Sequence, residues 1–181
     1  FLRSIWPVRI ENPDGAAREI AEIEADGADQ EAKIRLCQQW FGASLVGVAT
    51  RFQLALILFG TGSNGKSTLL KTLERLFPAG SLCHVAPQHL NDEYRLALLA
   101  GKRLNTVGEL PTAAILDSAT LKSVIDGTEV TGRQIRQEPI TFTPRAGMVY
   151  SANLWPPVSD MSHGFWSRFV VLTFKETFER G

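Results

Sequence analysis

Apolar residues change their period several times along the chain, and each change predicts an element. From Ala17 to Ile23, and again from Glu31 to Phe41, the pattern is helical. Ile34, Leu36, Cys37, Trp40 and Phe41 fall on one stripe, and Gly42 is a plausible stop. Leu54 to Phe59 is an unbroken apolar run closed by Gly60. A strand buried on both faces reads this way, as in a parallel sheet. Leu69, Leu70, Leu73, Leu76 and Phe77 then recur at helical spacing, and Pro78 ends that helix. Glu93 to Ala100 and Ala113 to Ile125 are further predicted helices. Arg103 to Val107 is predicted as a strand, less buried than the first because Asn105 and Thr106 interrupt it. Val130 to Phe142 alternates loosely around Gln137-Glu138-Pro139 and predicts a hairpin. Met148 to Ser151 and Phe169 to Phe174 complete the predicted strands. Strands alternating with helices argue for an α/β fold with a parallel-sheet core. Residues 1–50 read as a helical lead-in, the end of a preceding helical domain, and residues 51–181 as the main domain.

Composition changes this picture little. The 181 residues weigh 19.9 kDa. Hydrophobic residues make up 44 % and charged residues 21 %, which is globular rather than disordered composition. No apolar run approaches the ~18–20 residues of a membrane span, and no signal peptide is visible. The first residue is Phe1, not Met, so the sequence reads as a piece excised from a longer polypeptide. Cys37 and Cys83 form no motif, as expected for ordinary thiols in the cytoplasm. Lys plus Arg and Asp plus Glu number 19 each, so the formal net charge is zero. That argues against coating nucleic acid by bulk charge, but leaves room for a local basic element.

The chemistry begins after the first strand. Gly60-Thr61-Gly62-Ser63-Asn64-Gly65-Lys66-Ser67 fits G-x-x-x-x-G-K-[ST] in full, with Thr68 next. The glycines let successive N–H groups wrap a phosphate. Lys66 is placed to neutralise the β- and γ-phosphates, and Ser67 to put a hydroxyl on Mg²⁺. The following helix aims its positive end at the phosphates. A chance Gly/Ser surface loop would not sit between a buried strand and an amphipathic helix. ATP and Mg²⁺ are the expected cofactors.

Hydrolysis needs an acid, a group near the γ-phosphate and a positive charge for the transition state. Glu109, just past a predicted strand, is the candidate acid and a second Mg²⁺ ligand; its bland reading is an exposed turn residue before Leu110-Pro111. Asn153 follows Met148–Ser151 and precedes Leu154-Trp155-Pro156-Pro157; its bland reading is a turn asparagine. Arg168 follows Gly164-Phe165-Trp166; it could equally be a surface arginine stacked on Trp166.

Taken in order, these segments resemble superfamily 3 helicases, specifically the helicase domain of phage and plasmid primases, the type also found in poxvirus primase-helicases. Residues 60–68 resemble that family's Walker A motif. Leu99-Ala100-Gly101-Lys102-Arg103-Leu104 followed by Glu109 resembles its Walker B approach. Leu121-Lys122 followed by Val130-Thr131-Gly132-Arg133 resembles motif B′. Ser151-Ala152-Asn153-Leu154-Trp155-Pro156 resembles motif C. Asp160 with Gly164-Phe165-Trp166-Ser167-Arg168 resembles the arginine-finger segment. The resemblance covers about residues 30–175. It implies an AAA+-like P-loop ATPase that forms a ring, commonly a hexamer. Such a ring moves on single-stranded DNA and unwinds duplex during replication of a mobile element, and a primase domain can be fused upstream. In that reading Glu109 is the catalytic acid, Asn153 senses the γ-phosphate, and Arg168 reaches the ATP of a neighbouring subunit. Residues 130–142 form the channel hairpin, with Lys122, Arg133 and Arg136 as DNA-binding candidates. Two features depart from the family pattern. Gly108, not a second acid, precedes Glu109, and Ile125-Asp126-Gly127-Thr128-Glu129 is not the Gly-Gly-Asp form.

A solvated hairpin is the bland alternative to DNA contact, since Glu129 and Glu138 partly offset Arg133, Arg136 and Arg145. An initiator or loader that binds DNA without sustained unwinding would carry the same motifs. A small-molecule kinase would need an acceptor pocket and an arginine-bearing lid, and the sequence suggests neither. An excised domain would also be expected to be monomeric and nearly inactive if its nucleotide sites are completed by neighbours.

Overall fold

The longest apolar run of the sequence becomes β1 (Ala55–Phe59), the strand on which the rest is organised. The structure, a computed structural model, describes residues 20–111, 119–155, 157–158 and 162–178, with side chains from residue 28 onward. β1 is flanked on both sides by parallel partners, β6 (Gly147–Ala152) and β7 (Phe169–Thr173). Beyond β6 lie β3 (Leu104–Val107) and the two-residue β2 (Leu82–Cys83), giving the order β2-β3-β6-β1-β7. All pairings in this sheet are parallel. The remaining strands, β4 (Val130–Arg133) and β5 (Pro139–Phe142), form a separate antiparallel hairpin. This is the α/β parallel-sheet fold with a hairpin insertion that the hydrophobic pattern predicts.

The sheet is covered on both faces, which is why β1 and β6 read as continuous apolar runs. One face carries Leu56, Leu58, Val149 and Leu172. It packs under Ile34, Cys37, Trp40 and Phe41 of α1 (Ile20–Val46) and under Leu69 and Leu70 of α2 (Lys66–Glu74). The other carries Ile57, Met148 and Tyr150, covered by Leu121, Val124 and Ile125 of α4 (Ala119–Asp126), by Leu96 of α3 (Glu93–Ala97) and by Phe165 of α5 (His163–Trp166). Each fully buried Leu or Ile contributes about 1.5–3 kcal/mol over an exposed one. The hairpin lies against α3, where a Cβ on Gly132 would come within 2.8 Å of the Ala97 backbone nitrogen. Both cysteines are buried free thiols, pushed up to about 12 by that burial.

Three expectations are corrected. The helix does not stop at Gly42 but runs on to Val46. It stops there because Gly47, at φ 74°, takes the left-handed turn. Its N–H bonds to Ser44 O at 3.0 Å, and Val48 N–H bonds to Ala43 O at 2.9 Å. The two segments at 17–23 and 31–41 also join into one helix where both are described. Finally, β3 is not less buried. Asn105 is 0 % exposed, and its side-chain amide continues the sheet where β2 has ended. It accepts from Val85 N–H at 2.7 Å and donates to Val85 O at 2.9 Å. A polar residue in a buried strand is stable when its hydrogen bonds are met. Residues 1–19, 113–118, Pro156 and Asp160 lie outside the described residues.

Candidate nucleotide site

In a parallel sheet the C-terminal strand ends share one edge, and the crevice beyond that edge is where such folds bind ligands. Gly60 follows β1, Asn153 follows β6, and Glu109 lies two residues past β3. Because β6 lies between β1 and β3, sheet order alone brings these three loops together.

The phosphate loop is built around a close backbone approach. A Cβ on Gly60 would lie 2.3 Å from Phe174 O and 2.6 Å from Asn64 Nδ2, so only glycine fits. Gly65, at φ 88°, turns the chain into α2. The first bond back into that helix runs from Leu69 N–H to Gly65 O at 2.9 Å. The N–H groups of the first turn are thus left for an outside acceptor, and the helix dipole favours an anion there. Lys66 is 4 % exposed and donates to Gly60 O at 2.6 Å, Thr61 O at 3.0 Å and Asn64 Oδ1 at 2.9 Å. Burial lowers its pKa, and the negative charge of Glu109 opposes that shift.

Asn153 Nδ2 donates to Glu109 Oε1 at 2.9 Å, so the candidate acid and the candidate sensor meet directly. Leu110 N–H bonds to Ser151 O at 2.7 Å and fixes the loop that carries Glu109 against β6. Thr61, Gly62 and Ser63 are exposed in the loop, and Ser67 and Thr68 are exposed at the start of α2. The hydroxyl of Ser67 and the carboxylate of Glu109 are hard oxygen donors of the kind Mg²⁺ takes, in a site that leaves further positions to water and phosphate. Among the described residues no cluster of three or more His, Cys, Asp or Glu forms a closed metal cage.

Arg168 is elsewhere. Its carbonyl accepts from Ala55 N–H at 2.7 Å, which places it at the start of β7 and beside the start of β1. That is the opposite edge of the sheet from the phosphate loop, about 17 Å away at 3.3 Å per strand residue. Its guanidinium bonds side-on to Asp126, Nε to Oδ1 at 2.8 Å and Nη2 to Oδ2 at 2.6 Å. Lys122 is on α4, its ammonium 5.8 Å from the Phe165 ring centre, beside the Arg168 turn and not on the hairpin. Arg133 and Arg136 are exposed on the hairpin, where Arg133 Nε donates to Gln137 O at 3.2 Å and Arg136 takes a positive φ in the turn. Ile135 between them is 76 % exposed.

Two contributors escape the sequence patterns. The segment after β7 lies along the phosphate loop: Asn64 Nδ2 donates to Phe174 O at 3.4 Å, and Phe178 N–H to Ser63 O at 2.7 Å. These contacts use backbone atoms, which no motif records. Asp126 is the other; the one signal for it was that it stands where the family pattern differs.

A family of unknown function (DUF5906) matches residues 58–168, more than half of the chain. The chain belongs to this family. The matched span takes in the phosphate loop, Glu109, Asn153 and Arg168. A search of the curated proteins found no match. Among solved structures, an apo form of the NrS-1 C-terminal region (305–718) aligns with a TM-score of 0.58 at 17 % identity, over 81 % of this chain and 35 % of that one. The A form of the same region gives 0.57 at 16 % identity, over 75 % and 33 %. A JCV helicase structure aligns at 0.48 and 16 % identity, over 76 % and 46 %, too loosely to inform the site. The chain spans about a third of the NrS-1 structures, and the likeness is one of fold. The parallel five-stranded sheet between helices, with the phosphate-loop sequence after β1 and a separate hairpin, is the P-loop NTPase-like α/β fold that the sequence predicts. Among the described residues, no helix is long and apolar enough to cross a membrane.

Proposed function

We propose that this chain is the ATP-driven DNA motor unit of a mobile-element primase-helicase, hydrolysing ATP to move along single-stranded DNA and separate duplex. The observation that carries this reading is the meeting of Lys66, Glu109 and Asn153 at one sheet edge, with Asn153 bonded to Glu109 at 2.9 Å. A phosphate loop alone binds; a loop with a carboxylate held beside it can also activate water.

In this reading residues 60–68 cradle the triphosphate of ATP, and Lys66 exchanges neutral oxygen partners for charged phosphate oxygens. Charge-assisted bonds are roughly twice as strong as neutral ones, which favours the exchange. Ser67 and Glu109 would hold Mg²⁺, which would supply positive charge against the phosphates. Glu109 orients the attacking water and accepts its proton. Asn153 keeps that carboxylate aimed and responds to the γ-phosphate. Arg168, remote from its own loop, serves the site of a neighbouring subunit in a homo-oligomeric ring, of the hexameric kind. Arg133 and Arg136, repeated around the channel, contact DNA phosphates, and Lys122 adds charge next to the subunit surface. Such contacts give salt-dependent binding with little sequence preference. A fused primase upstream and work in the cytoplasm complete the proposal.

The test is ATPase rate against protein concentration, with and without single-stranded DNA, using Lys66→Ala as the blank. The expected result is a rate per subunit that climbs with concentration and rises again with DNA. A rate at the blank under every condition overturns the motor.

A further inference from the structure

We propose that Asp126 is the positioning residue for Arg168: it holds the guanidinium by one edge and presents the opposite edge to the nucleotide of a neighbouring subunit. This inference rests on the motor reading above, in which Arg168 acts in trans.

The geometry is that of a clamp. A guanidinium has five N–H donors in a rigid fork. Asp126 takes one on Nε and one on Nη2, and Gly164 O takes one on Nη1. Among the described residues, that count leaves one N–H on each of Nη1 and Nη2. Two adjacent donors are what bidentate recognition of a phosphate uses. The Arg168 side chain is 23 % exposed and that of Asp126 16 %, so the pair is partly open to solvent and not sealed in the core.

Both ends of the clamp are anchored. Arg168 is held through Ala55 N–H to Arg168 O at 2.7 Å and Arg168 N–H to Phe165 O at 3.2 Å. Asp126 is the last residue of α4, and that helix is closed by Thr128 N–H to Ser123 O at 2.9 Å. The next residue is closely packed, since a Cβ on Gly127 would come within 2.8 Å of Thr50 Oγ1. With both backbones fixed, the rotamer of the long arginine side chain is chosen before any partner arrives, and less ordering entropy remains to be spent on binding.

The location of Asp126 supplies an independent argument. A carboxylate in the last turn of a helix faces the negative end of the dipole, which disfavours it. No helix-forming reason places an acid there. The bond to Arg168 offsets that cost, and in doing so orients a cation at the strand end remote from its own phosphate loop.

The experiment uses the full chain and mixed assemblies. Arg168→Ala subunits keep an intact phosphate site but offer no arginine, while Lys66→Ala subunits cannot fire but still offer Arg168. Mixing them should restore ATP turnover in the Arg168→Ala sites. Donor subunits carrying Lys66→Ala with Asp126→Asn should restore less than a tenth as much, and Lys66→Ala with Asp126→Glu an intermediate amount. Any merely local damage from Asp126→Asn is confined to subunits that do not hydrolyse. Equal restoration by the Asn donor overturns the role of Asp126 and leaves the motor reading intact. Greater restoration also overturns it, because Asp126 would then be sequestering Arg168. No restoration by the simple Lys66→Ala donor overturns the trans reading and the inference with it. Should the Asn donor fail to fold, Arg168→Lys in the Lys66→Ala donor keeps the charge and gives up the fork. It should restore less than a tenth, and full restoration by it overturns the clamp.

Discussion

Lys66 and Arg168 are both cations held by three side-chain bonds within the chain, and they are held by opposite means. Lys66 is ringed by neutral oxygens from residues 60, 61 and 64, all within six positions of it. Arg168 is held by a carboxylate 42 positions away, together with the Gly164 carbonyl. Neutral acceptors can be given up to a phosphate, whereas a side-on carboxylate pair is kept. One cation is therefore free to change partners within its own site. The other is fixed by its carboxylate partner, which suits it to the role proposed for it at a neighbouring subunit. The two lie at opposite edges of one parallel sheet, so the same strands that separate them also set their distance.

Breaking the remote cation should have the largest effect on turnover. Arg168→Ala is expected to lower kcat by about a thousandfold, the lower end for an arginine supplied in trans. ATP affinity should stay within about twofold, since binding belongs to the other edge. A loss of affinity in nucleotide titrations would collapse the distinction between the edges. Lys66→Ala should weaken ATP binding by roughly a hundredfold, as expected when a buried charged hydrogen-bond partner is removed. Calorimetric titration checks this, and unchanged affinity would remove residues 60–68 from the site. Glu109→Gln should retain ATP binding and lower kcat by about a hundredfold, in the range for loss of a general base. Normal turnover would take Glu109 out of the catalytic assignment.

Smaller effects sharpen the contrast between backbone-held and side-chain-held charge. Gly60→Ala forces a Cβ to within 2.3 Å of Phe174 O, so the loop must shift. A destabilisation of about 2 kcal/mol is expected, a melting temperature lower by roughly 4–8 °C for a chain of this size, with weaker ATP binding alongside. Arg133→Ala should leave basal turnover unchanged and reduce the slope of log affinity for single-stranded DNA against log salt by about one. An unchanged slope would return Arg133 to the solvated-hairpin reading.

How legible each part was follows from the range of its interactions. The phosphate loop could be read because its bonds are local, and because Gly60 is dictated by a close backbone approach and Gly65 by a positive φ. The hairpin and the buried strands could be read from period and turn residues. Gly42 misled because a glycine is a helix stop only where the chain can turn left-handed, and the stop fell at Gly47. Asn105 misled because a polar residue reads as exposed until its partner is known, and the partner is the Val85 backbone 20 residues away.

The sequence by itself determined the strand-loop-helix of the phosphate-loop pattern, the order of the candidate motifs and the alternating elements that make an α/β fold. Each depends on neighbours in the chain. Only the tertiary structure decided that β6 lies between β1 and β3, which brings Asn153 to Glu109 and both to the loop of Lys66. Only it set Arg168 at the far edge in the grip of Asp126. Those placements depend on which strands pair and which helix end meets which strand start. Such choices are made by packing two apolar faces of the whole sheet at once, and no local spacing encodes them.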